Sequence, residues 1–195
     1  QTPKQVTWTI NRATVSVPSQ SGSLTYTGST QSPTWAGYDS SKMTIGGTTS
    51  GTNAGSYNAT FTPGSNYQWT DGGSAEKAVA WTIGKATGSL SLNKSSISLN
   101  VSKMSDTITV TRPGTGVISA VSSAPSVASV SVSGNVVTVT GKAKGNATIT
   151  VSVAADTNYT APADKTCSVN VTLPTNTLND NDWATIKQVS DSGKG

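Results

Sequence analysis

The sequence predicts an all-β fold built from tandem two-sheet modules, on three observations. Serine and threonine make up about a third of the 195 residues, whereas charged residues are 11% and aromatic residues 6%. Threonine, valine and isoleucine recur in alternation, which suits the half-buried surface of a pleated sheet, while 19 glycines and eight prolines supply turns. The third observation is an internal repeat at the spacing of one small β-domain.

The repeat joins residues 4–14 to residues 77–87, which align without a gap at an offset of 73 residues. Both copies contain Val-x-Trp-Thr-Ile followed two residues later by Ala-Thr. A period of this size is too long for a solenoid. Because the second copy closes a module, we expect residues 1–11 to be the closing strand of a truncated preceding repeat in a longer array.

Residues 12–86 are predicted to form a complete β-rich module. Its opening strand alternates from Ala13 to Val17, and Pro18 ends it. Two later runs place apolar residues on one face at period two. These residues are Tyr57, Ala59 and Phe61 in the first run and Val79, Trp81 and Ile83 in the second.

Residues 87–173 are predicted to form a second module. Its opening strands are marked by Leu90, Leu92, Ile97, Leu99 and Val101. Later, Val127 and Val130 are expected to reach the core around a local kink, and Gly134-Asn135 reads as a hairpin turn. Cys167 begins a last alternating strand and is expected to be a small buried hydrophobe there.

Both modules resemble known families. Leu-Thr-Tyr-Thr-Gly at 24–28, Asn-Ala-Gly-Ser-Tyr-Asn-Ala-Thr-Phe at 53–61 and Asn-Tyr-Gln-Trp at 66–69 resemble the MBG-type repeat of bacterial surface and phage-associated proteins. Ser-Val-Ala-Ser-Val at 126–130 and Gly-Asn-Ala-Thr-Ile-Thr-Val at 145–151 resemble the bacterial immunoglobulin-like group 2 family. These resemblances imply tandem immunoglobulin-like β-sandwich modules, found as extracellular repeats in bacterial adhesins and phage virions.

Residues 174–195 are predicted to be a linker and the start of a further module. After the capping run at 179–182, Trp183, Ile186 and Val189 are spaced by three, which predicts a short helix with one apolar face. Asn179-Asp180-Asn181-Asp182 offers oxygen ligands for calcium, but it lacks the glycine and distal glutamate of an EF-hand loop. We read it as a helix cap and expect no metal.

The charge pattern and residue inventory exclude several function classes. The net charge is +4, but the 13 Lys and Arg residues are scattered singly, so no nucleic-acid footprint is expected. No apolar run is long enough for membrane insertion. The sequence has no histidine and one cysteine, which excludes triads built on either residue. The nine carboxylates lie mostly in predicted turns such as 156–158, so we expect no catalytic residue and no cofactor; a glycosidase pair among them is the alternative.

The candidate ligand-binding residues are aromatic side chains of the first module: Trp35, Tyr38, Tyr67 and Trp69. Exposed rings can stack on sugars, with Thr34, Asp39, Asn66 and Gln68 as flanking hydrogen-bonding groups. The alternative is that these rings only fill the core.

The sequence thus predicts a non-enzymatic structural and adhesive spacer of a bacterial surface or phage virion protein. The alternative is an accessory, glycan-binding module of a secreted carbohydrate-active enzyme. The expected partners are neighbouring domains of the same chain, host-surface glycans or mucin, and other virion proteins, at an extracellular location.

Overall fold

The computed structural model describes residues 3–172, which contain sixteen β-strands and no helix. They divide into two compact units. The first comprises the described residues up to Gly88 with Pro113–Gly116 and Ala154–Ala161; the second comprises Ser89–Arg112, Val117–Val153 and the described residues from Pro162 onward. The predicted all-β class is confirmed. The predicted helix at 183–189 lies outside the described residues.

The first unit holds eight short strands. They are β1 (Ala13–Val15), β2 (Ser19–Ser21), β3 (Leu24–Thr25), β4 (Thr34–Ala36), β5 (Met43–Gly47), β6 (Gly55–Pro63), β7 (Tyr67–Trp69) and β8 (Lys77–Gly84). A four-stranded sheet has the order β3-β8-β6-β5, in which β3 runs parallel to β8 and the other neighbours are antiparallel. Two small pairs complete the unit: β1 with β7 in parallel, and β2 with β4 antiparallel.

The core of the first unit follows the alternation that the sequence predicts. On β6, Ala59 and Phe61 are fully buried, and on β8 the ring of Trp81 is fully buried beside Ile83. Tyr57 lies directly opposite Trp81 across the β6–β8 pair, and the two rings stack with centroids 4.5 Å apart. These aromatic contacts hold β6 against β8.

The second unit holds the other eight strands. They are β9 (Ser91–Leu92), β10 (Ser96–Asn100), β11 (Ser105–Thr111), β12 (Ile118–Ser122), β13 (Ala128–Ser133), β14 (Val136–Gly141), β15 (Gly145–Val153) and β16 (Lys165–Thr172). One sheet has the order β13-β14-β11-β9 and the other the order β10-β16-β15-β12. Taking β9 and β11–β16 as strands A to G gives the A-B-E-D and C-F-G sheets of an immunoglobulin-like sandwich, with β10 added parallel to β16.

Both sheets of the second unit supply one continuous core. Ile108 and Val139 from one sheet and Ile149 and Leu99 from the other are fully buried in the same cluster, which also contains the predicted Cys167. The hairpin predicted at Gly134-Asn135 is confirmed, because Ser133 pairs with Val136 and Gly134 takes a φ of 56°. A positive φ at that position is typical of a primed two-residue turn.

Two details of the strands differ from the sequence prediction. The opening strand of the first unit ends at Val15 rather than Val17, since the chain then leaves for β2. Val101 does not line a core; its side chain is 61% exposed in the turn after β10, where Asn100 and Lys103 exchange backbone hydrogen bonds. A turn interrupts the alternation that the sequence pattern extended through Val101.

Candidate functional site

Two of the four candidate aromatic residues share one neighbour in the first unit. Trp35 lies on β4 and Tyr38 in the turn that follows, and both are half-buried. Their rings pack against Phe61, Trp35 edge-on at a centroid distance of 4.9 Å and Tyr38 tilted at 5.7 Å. Each ring therefore gives part of its surface to the core and keeps part of it in solvent.

Trp69 has a different environment. Its side chain is fully buried, and its indole N–H donates to the carbonyl oxygen of Ala75 at 2.7 Å. The Lys77 ammonium lies 5.6 Å from the ring centroid. A fully buried ring offers no face for a sugar to stack on, so the expectation of an exposed ring at Trp69 is wrong. The alternation of β7 turns this residue inward.

Tyr67 is half-buried at the start of β7, which pairs with β1 rather than with β4. It packs against the same core cluster as Trp35 and Tyr38. The three partly exposed aromatic residues thus belong to one unit and one core, while they project from different strand pairs.

Two of the four polar residues expected to flank these rings, Thr34 and Asp39, are engaged in local structure. Asp39 accepts hydrogen bonds from the hydroxyl and backbone N–H of Ser41 at 2.6 and 2.9 Å and forms an ion pair with Lys42 at 2.9 Å. These contacts, the Ser41 hydroxyl above all, lower the pKa of Asp39 to about 2. Thr34 donates to Ser21 across the β2–β4 pair. Their bonds within their own turns and strands limit what they can offer a ligand.

Three further aspartates are held in the same manner. Asp71 binds Lys77, and Asp106 accepts from Lys103 and Lys94 at 2.8 and 2.6 Å, which keeps the pKa of both carboxyls below the ordinary range. Asp156 accepts backbone N–H groups from Thr115, Asn158 and Tyr159, and these bonds lower its pKa. A carboxyl that acts as a general acid needs a pKa raised toward neutrality, whereas the pKa of each of these carboxyls is lowered.

Within residues 3–172, neither the thiol nor any group of metal ligands forms a site. Burial raises the pKa of the Cys167 thiol, which keeps it protonated and unreactive. Among the residues that the structure describes, no three His, Cys, Asp or Glu residues lie together in a way that could hold a metal ion.

A polar cleft of about 360 Å³ in the first unit was not predicted from the sequence. Tyr26 and Tyr159 meet edge-on there at 5.4 Å, and the Asn158 amide bonds both Asn53 and the backbone N–H of Ala54. The sequence signal was present: Asn-Tyr occurs at 66–67 and again at 158–159. Each Asn-Tyr pair contacts the alanine that follows one copy of the repeat: the pair at 66–67 contacts Ala13, and the pair at 158–159 contacts Ala86.

The second unit carries a shallow cleft of about 370 Å³ on its β10-β16-β15 sheet. Its lining is neutral and consists of small polar and aliphatic side chains. The Asn170 amide donates to Asn146 at 2.7 Å across two neighbouring strands. With no ionisable residue in the lining, this surface offers hydrogen bonds and no acid–base chemistry.

Among residues 3–172, the most exposed aromatic side chain lies outside all of these places. Trp8 is 88% exposed, and Val6 and Ile10 on the same alternation are 72% and 95% exposed. None of the described residues 3–12 belongs to a strand. No helix within residues 3–172 is long and apolar enough to span a membrane.

Comparisons with known proteins add two distant likenesses in structure. No family model matches the chain, and no curated protein matches it. A crystal structure of domains 4 and 5 of the S-layer protein SbsC is similar at 18% identity and a TM-score of 0.36, over 72% of this chain and 82% of that one. Fibronectin(III)-like modules of Clostridium thermocellum CbhA are similar at 14% identity and a TM-score of 0.33, over 84% and 91%. Neither likeness bears on function.

Proposed function

We propose that the chain is a non-enzymatic spacer and display segment of a bacterial surface protein or a phage virion protein. One observation carries this proposal: one chain contains two β units, each with a closed core of its own. Repeated β modules of this kind build reach and present other domains.

The arrangement of ionisable groups favours a structural role over catalysis. Asp39, Asp71, Asp106 and Asp156 all have a lowered pKa because lysines, hydroxyls or backbone N–H groups bind their carboxylates. Acid–base catalysis needs a group that exchanges its proton near the working pH. With no histidine in the sequence, no residue type with an unperturbed pKa near 7 is present.

The cysteine content fits the proposed extracellular location. The only cysteine is Cys167, and its side chain is fully buried in the core of the second unit. Neither unit therefore uses an intrachain disulfide, and their stability depends on apolar burial and on hydrogen bonds between strands. Such modules remain folded whatever the redox state outside the cell.

The test of the spacer role has two assays with the purified chain. We expect no hydrolysis of polysaccharide or peptide panels, with or without calcium, and no binding of a multimerised chain to glycan or mucin arrays. Turnover that is lost on changing one aspartate to asparagine would overturn the non-enzymatic assignment. Array binding would move the function from spacing to adhesion.

A second candidate is glycan binding, as in an accessory module of a carbohydrate-active enzyme. It is favoured by the partial exposure of Trp35 and Tyr38 beside each other on Phe61. One such site would bind weakly and gain strength from multiple copies. Trp35→Phe retains packing on Phe61 but removes the indole, whereas Trp8→Ala removes an exposed ring elsewhere. Array binding lost with the first variant and kept with the second would support this candidate.

A further inference from the structure

The exposed segment at residues 4–11 has a buried counterpart within the same chain. Seven of eleven positions are identical between 4–14 and 77–87. Trp8 corresponds to Trp81, which is fully buried, and Ile10 corresponds to Ile83, which is 2% exposed. The same alternating apolar face is therefore covered in one copy and open to solvent in the other.

The covered copy shows what surrounds this sequence when it is a strand. In the first unit, β8 lies between β6 and β3, with Trp81 opposite Tyr57 and Ile83 beside Leu24. The Trp81 indole N–H also donates to the carbonyl oxygen of Thr48 at 2.7 Å. The groove that holds β8 thus provides a stacking ring, an acceptor for the indole and strand partners on both edges.

The two copies are also followed by the same contact. After β8, the Ala86 N–H donates to the carbonyl oxygen of Asn158 at 2.8 Å, and Ala86 bridges Tyr159 in parallel. After residues 4–11, the Ala13 N–H donates to Asn66 at 3.0 Å, and Ala13 pairs with Tyr67 in parallel. The residues that follow the first copy, which we call its exit, therefore make the same contacts as the residues that follow the closing strand β8.

We infer that residues 4–11 are an interaction strand whose partner is a further module of the first unit's kind. The strand occupies the groove between that module's equivalents of β3 and β6, with Val6, Trp8 and Ile10 turned into its core. This inference does not require the spacer role, since it depends only on the repeat, the burial of β8 and the matching exits.

The first test asks whether the sequence of residues 4–10 can close a module. Residues 77–83 differ from residues 4–10 at two positions, Ala78 and Ala80, and both side chains are exposed. The variant Ala78→Gln/Ala80→Thr makes residues 77–83 identical to residues 4–10. We expect the urea midpoint of the first unit and the emission maximum of its tryptophans to be unchanged. Loss of the folded first unit in this variant would overturn the inference.

The second test supplies the partner module. A second copy of residues 12–76 is joined directly to Lys4, so that residues 4–14 follow it as residues 77–87 follow the original. We expect amide hydrogen exchange in residues 5–11 to slow by about 100-fold or more, since closing strands open only with the unit that they complete. The Trp8 emission should shift to the blue as its ring is buried.

Two controls show whether the apolar face of residues 4–11 causes this protection. The same fusion with Val6, Trp8 and Ile10 all changed to serine should leave the added copy unprotected while β8 stays protected. A reference fusion closed by residues 77–83 shows that the added copy can fold. The inference would be overturned if the reference fusion folds but residues 5–11 stay unprotected from exchange in the test fusion. If the reference fusion also fails to fold, the Ala78→Gln/Ala80→Thr variant alone decides. Concentration-dependent protection in the unfused chain would identify a second copy of this chain as the partner instead and would also overturn it.

Discussion

Residues 4–11 and β8 are nearly identical in sequence, but the first segment is exposed to solvent and the second is buried in a sheet. Trp8 is 88% exposed and Trp81 is fully buried, although the residues on either side of them are almost the same. The alternation of apolar residues makes both segments capable of forming a strand. What separates them is whether β3 and β6 are available as neighbours, because a strand's apolar face is buried only by the sheet that it joins.

Each of the two segments has a strand half and an exit half. The strand half, residues 4–10 or 77–83, is exposed in the first copy and buried in the second. The exit half, residues 11–14 or 84–87, makes the same contact in both, because its alanine N–H donates to the carbonyl oxygen of the asparagine in an Asn-Tyr pair. Burial of the strand half and hydrogen bonding of the exit half are therefore separate contributions, and substitutions at matched positions can measure each one.

The largest difference is expected between Trp81→Ala and Trp8→Ala. Removing a fully buried ring that stacks on Tyr57 should cost about 3–5 kcal/mol in the free energy of unfolding of the first unit. Removing the exposed ring should change it by less than about 0.5 kcal/mol. Urea unfolding followed by tryptophan fluorescence reports mainly on this unit, because it contains four of the five tryptophans of the sequence, Trp8, Trp35, Trp69 and Trp81. Equal effects would contradict the environments described for the two copies.

The sequence was sufficient for the longest strands, such as β6, β8 and β16, and for most of the core, but β2, β4, β5 and β12 were not predicted. Period-two alternation places Phe61, Trp81 and Ile149 inward because a pleated strand allows only two faces. The hairpin at Gly134-Asn135 was equally readable, since glycine is the residue that adopts a positive φ without strain.

The candidate site was less predictable. A short aromatic strand between turns does not show which of its rings faces the core, and Trp69 proved to be buried while Trp35 kept partial exposure. The cleft around Tyr26 and Asn158 depends on contacts between residues more than 100 positions apart, such as that between Asn53 and Asn158. Only the tertiary structure brings such residues together.

The exit halves should respond equally to the loss of their N–H group. Ala13→Pro and Ala86→Pro each remove one backbone donor, which leaves the carbonyl oxygen of Asn66 or Asn158 without it. Each substitution is expected to cost about 1–3 kcal/mol in unfolding free energy. Ala13→Ser and Ala86→Ser keep the N–H and serve as matched controls. A cost at only one of the two positions would show that the exits are not equivalent.

A smaller effect is expected from the side chain that binds the edge of β8. The Gln20 amide accepts the Thr82 N–H at 2.9 Å and donates to the Thr82 carbonyl at 3.1 Å. Gln20→Ala should cost about 1 kcal/mol, and Gln20→Glu should cost no less, because it keeps the acceptor but sets a carboxylate oxygen against the Thr82 carbonyl oxygen. Thr9 is the counterpart of Thr82, and no hydrogen bond to it is found within residues 3–172. Thermal unfolding measures both variants, and a fully stable Gln20→Ala variant would show that this bridge adds nothing to β8.

The smallest expected effect is a pH-dependent difference in hydrogen-exchange protection between the Ala86 amide and the Ala13 amide. Asp156 precedes the Asn158-Tyr159 pair and accepts the N–H groups of both residues, whereas Gly64 holds the corresponding place before Asn66-Tyr67. The Thr115 N–H above all, together with these two bonds, lowers the pKa of Asp156 below its ordinary value of 3.8, so the contribution of Asp156 is complete above that value and is lost as the pH falls below it.

Hydrogen exchange can detect this difference at single amides. As the pH falls from 6 to below 3.8, the protection factor of the Ala86 amide should decrease relative to that of the Ala13 amide, whose partner loop has no carboxylate. Asp156→Asn keeps an acceptor oxygen but cannot titrate, so it should abolish the divergence. Asp39 and Asp71 still titrate in that variant, which makes it the control for acid effects elsewhere in the first unit. Parallel loss of protection at both alanines in the unsubstituted chain would mean that Asp156 does not distinguish the two exits.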